Sequence, residues 1–535
     1  MASPLNLICK NFLACGSILL SMLLAAAGAH AAPPVVTIPN GPIAGTPVHP
    51  NTLLSLSVEF PTVGAAYRQE YVPSRVYAGY FDPDQCYTQA KPVYKTNAGG
   101  VKVYDTSNDD NKYFAPAGSA GANHTCKKQF SGNFMNWAAS SAIDMLRVGL
   151  TGGDRIIDQV GKTVLQRSYL PNFFYLTDLY FPLKTFSSAG GVTASQVTPY
   201  SVGTLYMVSC KNRILFSTGP ARVGLMKTGN DFDGALCDSD SATNTDKNLG
   251  EYLMRVEVCS DTEGPNRQDL CTRYGTHYKP EGEIQRNADR MRFAVMGYLL
   301  DANVARYGGV LRAPMKYVGP NRYVNLEQFP NADAEWDKDT GVFLMNPVAA
   351  GKGSVMNYLN QFGRNGIYKI WDPIGELFYE GVRYLGGMQP TPLATAGMTS
   401  EMMDGFPVIT PWTNPVTADC QKNSIIMIAD AKANYDAYVP GNTFTITQGA
   451  TWFPTPPFGT VVDVPRPVEN GFDVRYWNRL IGNEETTAHG PDTKTRPVLA
   501  GLENQLTGWQ PGTPDQPFKG TYNISGTAFY ANQLP

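Results

Sequence analysis

Histidine, clustered charge and paired cysteine spacings are what this chain has least of. Its 535 residues include five histidines, His30, His49, His124, His277 and His489, scattered too widely to set two on one helix face. No Cys-x-x-Cys occurs, which excludes the usual zinc-organised modules. Charged residues make up 17 % of the chain, the net charge is -3, and no basic run is present. That balance gives no electrostatic footprint for nucleic acid or anionic lipid. The chain also lacks a Gly-x-Ser-x-Gly elbow and a Gly-x-Gly-x-x-Gly turn, and its adjacent acids Glu484 and Glu485 carry no sign of a cleft. Beyond the amino terminus no apolar run is long enough to span a bilayer.

What is present begins with a leader. Lys10 precedes an apolar run over 12–27, and Ala29-His30-Ala31 stands before Ala32 and two prolines. This predicts a signal peptide over 1–31, cleaved between Ala31 and Ala32, and hence an exported protein. Cleavage removes Cys9 and Cys15 and leaves seven cysteines. The sequence-near pairs are Cys86 with Cys126, Cys210 with Cys237, and Cys259 with Cys271, although other connectivities are open. Cys420 is left free or pairs outside the chain. Residues 32–50 are rich in Pro and Gly and read as a linker.

The folded part is expected over 51–535. Leu53, Leu54, Leu56 and Val58 read as a strand, and so does the stretch from Met291 to Leu299. Ile425-Ile426-Met427-Ile428 runs apolar without alternation, as in the middle of a helix-covered parallel sheet, and delivers Asp430 into a loop. Period-four apolar positions over 133–150 predict one amphipathic helix with Trp137 in its core, and Asp144 and Arg147 pairing near the surface. A short helix is expected over 155–166, and another after Asp372, which would cap it ahead of Pro373. Residues 187–246 and 444–467 read as loop-rich insertions. The order strand, helix, strand, strand is that of a doubly wound α/β domain.

Three weaker patterns read as turns or surface acidity. Asp105-Thr106-Ser107-Asn108-Asp109 fits a solvated turn. Asp231-Phe232-Asp233-Gly234 with Asp240 lacks the first ligand of a calcium loop, and Gly351-Lys352-Gly353-Ser354 lacks phosphate-loop spacing.

Taken in order, several phrases resemble the PilY/PilC family of type IV pilus assembly proteins and tip-associated adhesins. They are Ser57-Val-Glu-Phe-Pro61, Tyr77-Ala-Gly-Tyr80-Phe-Asp82, Ser131-Gly-Asn-Phe-Met-Asn-Trp137, Leu150-Thr-Gly-Gly153, Tyr274-Gly-Thr-His277-Tyr-Lys-Pro-Glu-Gly282, Arg292-Phe-Ala-Val-Met-Gly-Tyr-Leu299, Gly308-Gly-Val-Leu-Arg-Ala313, Asp372-Pro-Ile-Gly-Glu376 and Cys420-Gln-Lys-Asn423. The resemblance covers nearly the whole chain after the leader. It implies a von Willebrand factor A-like domain, usually followed by a β-propeller that this sequence does not reach. It implies a location at the periplasm, outer membrane or pilus tip, with minor pilins and a host or abiotic surface as partners. It also implies pilus assembly and adhesion without catalysis, with aromatic loops near Tyr80 offering contact surface. A cation site of that fold needs Asp-x-Ser-x-Ser after the first strand. Here Ser57-Val58-Glu59 stands in its place, and Asp430 matches the last ligand position. Glu59 and Asp430 supply too few oxygens for tight Ca or Mg, so the expected cofactor is none in this part. The alternative from another class is a secreted α/β hydrolase, which would show a Ser or paired carboxylates aligned in a cleft.

Overall fold

The computed structural model describes residues 48–534, apart from 89, 92, 97–101, 105–108, 172–179, 220–247, 301–307, 345–352, 365, 370–371, 430–437, 444–445, 449–460, 464–465 and 490–520. Contacts divide the chain into Met1–Thr46 and Pro47–Pro535, and the described residues belong to the second unit. It is mixed α/β, with several small sheets.

The principal sheet has four strands, β1 (Asn51–Leu56), β2 (Arg292–Gly297), β3 (Val310–Lys316) and β4 (Asn423–Ile428), in the order β3-β2-β1-β4. The segments at Leu53, Met291 and Ile425 therefore share one sheet. β1 runs parallel to both neighbours, with Leu53 opposite Ala294 and Ile425, while β3 is antiparallel to β2. β1 is central and wholly buried, as its run of leucines requires. The Ile425 run, expected in the middle, is instead at the edge: Asn423, Ser424 and Ile426 are exposed.

The helices of seven residues or more among the described residues are, in chain order, α1 (Gly132–Ala139), α2 (Ala142–Thr151), α3 (Val355–Gln361), α4 (Ile374–Leu385), α5 (Val474–His489) and α6 (Asn523–Ala531). α4 covers the Leu53 face so closely that a Cβ on Gly381 would lie 3.1 Å from Leu53 and 3.3 Å from Ile425. α3 covers the other face, where Tyr358 stands against Gly297; a Cβ there would meet its hydroxyl at 2.0 Å. Helices thus lie on both faces of the sheet.

The helix expected over 133–150 is broken in two. Ser141 caps α2 through a reciprocal box with Asp144, and local capping at the Ser140-Ser141 step outweighs the continuous apolar period. Asp144 and Arg147 are buried and turn to different partners. Asp144 accepts the Ser168 amide at 2.8 Å, and Arg147 donates to the carbonyls of Leu359 at 2.9 Å and Phe362 at 2.7 Å. The helix expected over 155–166 is a hairpin, Arg155–Gln159 with Lys162–Gln166, turned at Gly161.

A second core forms between α1 and an antiparallel sheet of Lys184–Phe186, Leu205–Cys210, Arg213–Ser217 and Asn248–Leu253. Much of the stretch read as a loop-rich insertion is therefore a core layer, anchored by Val192, Leu205, Ile214 and Phe216. Tyr77, Tyr80 and Phe81 belong to that core at 5 % exposure or less, so the aromatic loop is packing and not contact surface. Trp137 is buried as expected, and its indole N–H donates to the Gln69 carbonyl at 2.8 Å.

Disulfides close Cys86–Cys126 and Cys259–Cys271. Cys210 is disulfide-bonded, Cys237 lies outside the described residues, and Cys420 is free and exposed. Among the described residues no helix is long and apolar enough to cross a membrane.

Candidate functional site

Ligands in open α/β sheets gather at the carboxyl ends of parallel strands, and there this chain concentrates buried charge. The backbone leaves β1 through Ser57, whose amide bonds to the Ile428 carbonyl at 2.9 Å, and reaches Glu59, which forms a parallel bridge with Lys369. Tyr298 follows directly on β2. Its hydroxyl donates to Asp372, and the Lys369 ammonium lies 5.8 Å from its ring centre. Glu376, in the first turn of α4, accepts the amides of Gly308 at 2.7 Å and Tyr438 at 2.9 Å. Glu59, Asp372, Glu376 and Lys369 are all no more than 2 % exposed.

Burial raises the Tyr298 phenol well above its usual pKa, and the carboxylates of Asp372, Glu59 and Glu376 add to that effect in turn. Three carboxylates from two segments thus converge on one hydroxyl. Asp372 is not the cap that its place before Pro373 suggests: Pro373 itself stands at the N-cap of α4, without a side-chain hydrogen bond. The sequence signal for this cluster was the phrase Asp372-Pro-Ile-Gly-Glu376, in which two buried acids were hidden by a familiar capping pattern.

Asp430 lies outside the described residues, so only Glu59 of the expected ligand pair can be placed. Both Glu376 oxygens hold backbone amides, and Asp372 takes the Tyr298 proton donor. These groups do not fit a cation without giving up those bonds, and among the described residues no cluster is arranged to hold a metal. The Asp231 and Asp240 acids and residues 105–108 are also outside the described residues. Asp109 pairs with Lys112 at 2.6 Å, and Ser354 caps α3 by accepting the Asn357 amide. His124 faces Asp84 and the Pro83 carbonyl, and His277 the Thr340 carbonyl, so neither is placed to activate a serine.

A second polar cluster lies at the start of α3. Glu335 accepts the Ser354 hydroxyl at 2.8 Å, the Val355 amide at 2.9 Å, the Met356 amide at 2.7 Å and the Lys316 ammonium at 2.8 Å. It sets a buried anion on the positive end of the helix. A cavity of about 200 Å³ adjoins it, with Asp154, Arg155, Phe343 and Asn360 among its walls.

Two family models match this architecture, one on each side of that cavity. Residues 68–225 match "PilY1 homolog, small alpha/beta domain", and residues 305–531 match "PilY1 homolog, second domain". The fold and matches together define a multi-region α/β protein of the PilY1 type. The chain belongs to the PilY1 homologue family. A type IV pilus biogenesis factor PilY1 homolog of Xylella fastidiosa (strain Temecula1 / ATCC 700964) is 32 % identical over 435 residues, covering 75 % of this chain and 34 % of that protein. A second protein with the same name and source is 23 % identical over 441 residues, covering 71 % of this chain and 27 % of its own length. The matched part is thus about a third or less of each relative. No solved structure matches the chain.

Proposed function

We propose that this chain acts in type IV pilus biogenesis as an exported subunit at the pilus tip, promoting assembly and surface attachment by contact and not by turnover. The observation that carries this reading is the 32 % identity, over 75 % of the chain, to a protein named a type IV pilus biogenesis factor. Two closed disulfides fit an oxidising compartment. The three parallel strands with helices on both faces fit the kernel of a von Willebrand A-like domain. In this reading Glu59 and Asp430 are the remnant of a cation site, and the buried acids beside Tyr298 hold loops in place. Minor pilins and a host or abiotic surface are the partners. The hydrolase alternative gains no support from the comparisons, and His124 and His277 face backbone carbonyls.

Pili sheared from intact cells test this. The chain is expected in the sheared fraction and absent from it when the major pilin is deleted. A chain retained wholly in the cell bodies of piliated cells would contradict the assignment.

A further inference from the structure

The cavity beside Glu335 is lined by α3 and by the hairpin turned at Gly161. α3 contributes Asn357, Asn360 and Gln361, whose spacings of three and four residues put three carboxamides on one helix face. The hairpin and the chain after Glu335 contribute the apolar side chains of Ile156, Phe343 and Leu344. One small space thus has both hydrogen-bonding and apolar walls.

Two of its polar groups are incomplete. Asn360 is 3 % exposed; its Oδ1 accepts the Thr151 hydroxyl at 2.5 Å, and its Nδ2 has no partner among the described residues. Arg155 is 8 % exposed and donates through Nη1 and Nη2 to Asp158, Gly341 and Pro280, while its Nε has no partner among them either. Buried N–H groups are nearly always paired, so two on one cavity call for an acceptor. The acids around the cavity already have bases: Asp154 pairs with Arg364, Asp158 with Arg155 and Lys279, and Glu335 with Lys316. A cationic ligand would find every carboxylate taken, and an anionic one would sit beside three of them.

Size narrows the class. The cavity is about 200 Å³. Cavities of about 150 Å³ take up benzene, and pockets for drug-sized ligands start at roughly 300 Å³. One substituted ring therefore fits, and a chain of several does not. We infer that the cavity binds a single uncharged pyranose ring, such as the end residue of a saccharide. Its hydroxyls each donate and accept, as the three carboxamides do, and its C–H faces suit Ile156, Phe343 and Leu344. A tyrosine side chain is a poorer occupant, because it brings one hydroxyl to a site with several polar side chains. The family-matched regions 68–225 and 305–531 both contribute walls, so a bound ring touches both. The inference does not rest on the pilus reading.

Saturation-transfer difference NMR tests this, with the chain against glucose, galactose, mannose and N-acetylglucosamine in large excess. At least one sugar is expected to show transfer, strongest at its ring C–H protons. Asn360→Leu should weaken binding roughly tenfold, the effect of losing one well-formed hydrogen bond. Because Asn360 also holds Thr151, Gln361→Leu, at a partly exposed position, is the second variant. It should weaken binding roughly threefold or more with an unchanged circular dichroism spectrum. Absence of transfer from every sugar would overturn the inference and leave water as the partner of the two N–H groups. Transfer undiminished in Gln361→Leu would also overturn it, since the sugar would then bind elsewhere. Transfer from N-acetyltyrosinamide that Gln361→Leu removes, where no sugar shows any, would overturn it in favour of a protein side chain.

Discussion

Glu376 accepts the amide of Gly308 at 2.7 Å, tying the loop that leads into β3 to the first turn of α4. Its other oxygen holds the Tyr438 amide at 2.9 Å. One buried carboxylate thus fixes two segments beside the carboxyl ends of the parallel strands. Glu376→Ala would leave both amides without this acceptor and should cost about 1–3 kcal/mol. Glu376→Gln, which keeps an accepting oxygen, should cost less. Urea unfolding of the two variants checks the order, and equal stability of Glu376→Ala and the parent chain would refute this role.

Glu335 is buried, caps α3 and pairs with the partly exposed Lys316. Removing Glu335 leaves the Val355 and Met356 amides and the Ser354 hydroxyl without their acceptor, at a cost of about 1–3 kcal/mol for each group left buried and unsatisfied. Glu335→Ala should therefore be more damaging than Glu376→Ala. It should also speed amide exchange at Val355 and Met356 before the rest of the sheet, which mass spectrometry can resolve.

The disulfides should differ in worth according to the loops they close. Cys86–Cys126 spans 40 residues and Cys259–Cys271 spans 12. By the chain-entropy estimate their removal costs about 4 and about 3 kcal/mol respectively. Paired Cys→Ser variants, compared by thermal unfolding, should rank in that order.

Lys184 is buried beside Trp137, its ammonium 4.8 Å from the ring centre and donating to the Trp137 carbonyl. Burial lowers its pKa from 10.5 to about 7. Between those values the unfolded chain holds a proton that the folded chain has released, so this group makes stability rise with pH from about 7 to about 10.5. Lys184→Met should flatten that rise. Urea midpoints at several pH values measure it, and an unchanged slope would show that Lys184 stays charged when folded.

The parallel sheet was legible because Leu53, Val295 and Ile425 sit in short apolar runs that only a helix-covered sheet can bury. What could not be read was position within it. Ile425 and Ile426 are alike in composition, yet α4 covers one and the other is open, a difference set by helices distant in sequence. The break between α1 and α2 escaped because Ser141 and Asp144 form a local cap inside a continuous apolar period. The hairpin at Gly161 carries Ile156, Ile157 and Val164 at spacings that suit a helix as well as paired strands. At the site, the sequence pointed to Glu59 only as a displaced cation ligand after the first strand. Asp372 and Glu376 were missed as a buried cluster because acids at a helix start are usually capping groups facing solvent.

The role at the fibre is tested most directly by counting surface pili after deleting the coding region, with retraction active and with retraction blocked. Pili are expected to fall sharply when retraction operates and to recover at least in part when it is blocked, with attachment reduced in the first case. Equal pilus numbers and equal attachment in deleted and parent cells, in both backgrounds, would contradict the account.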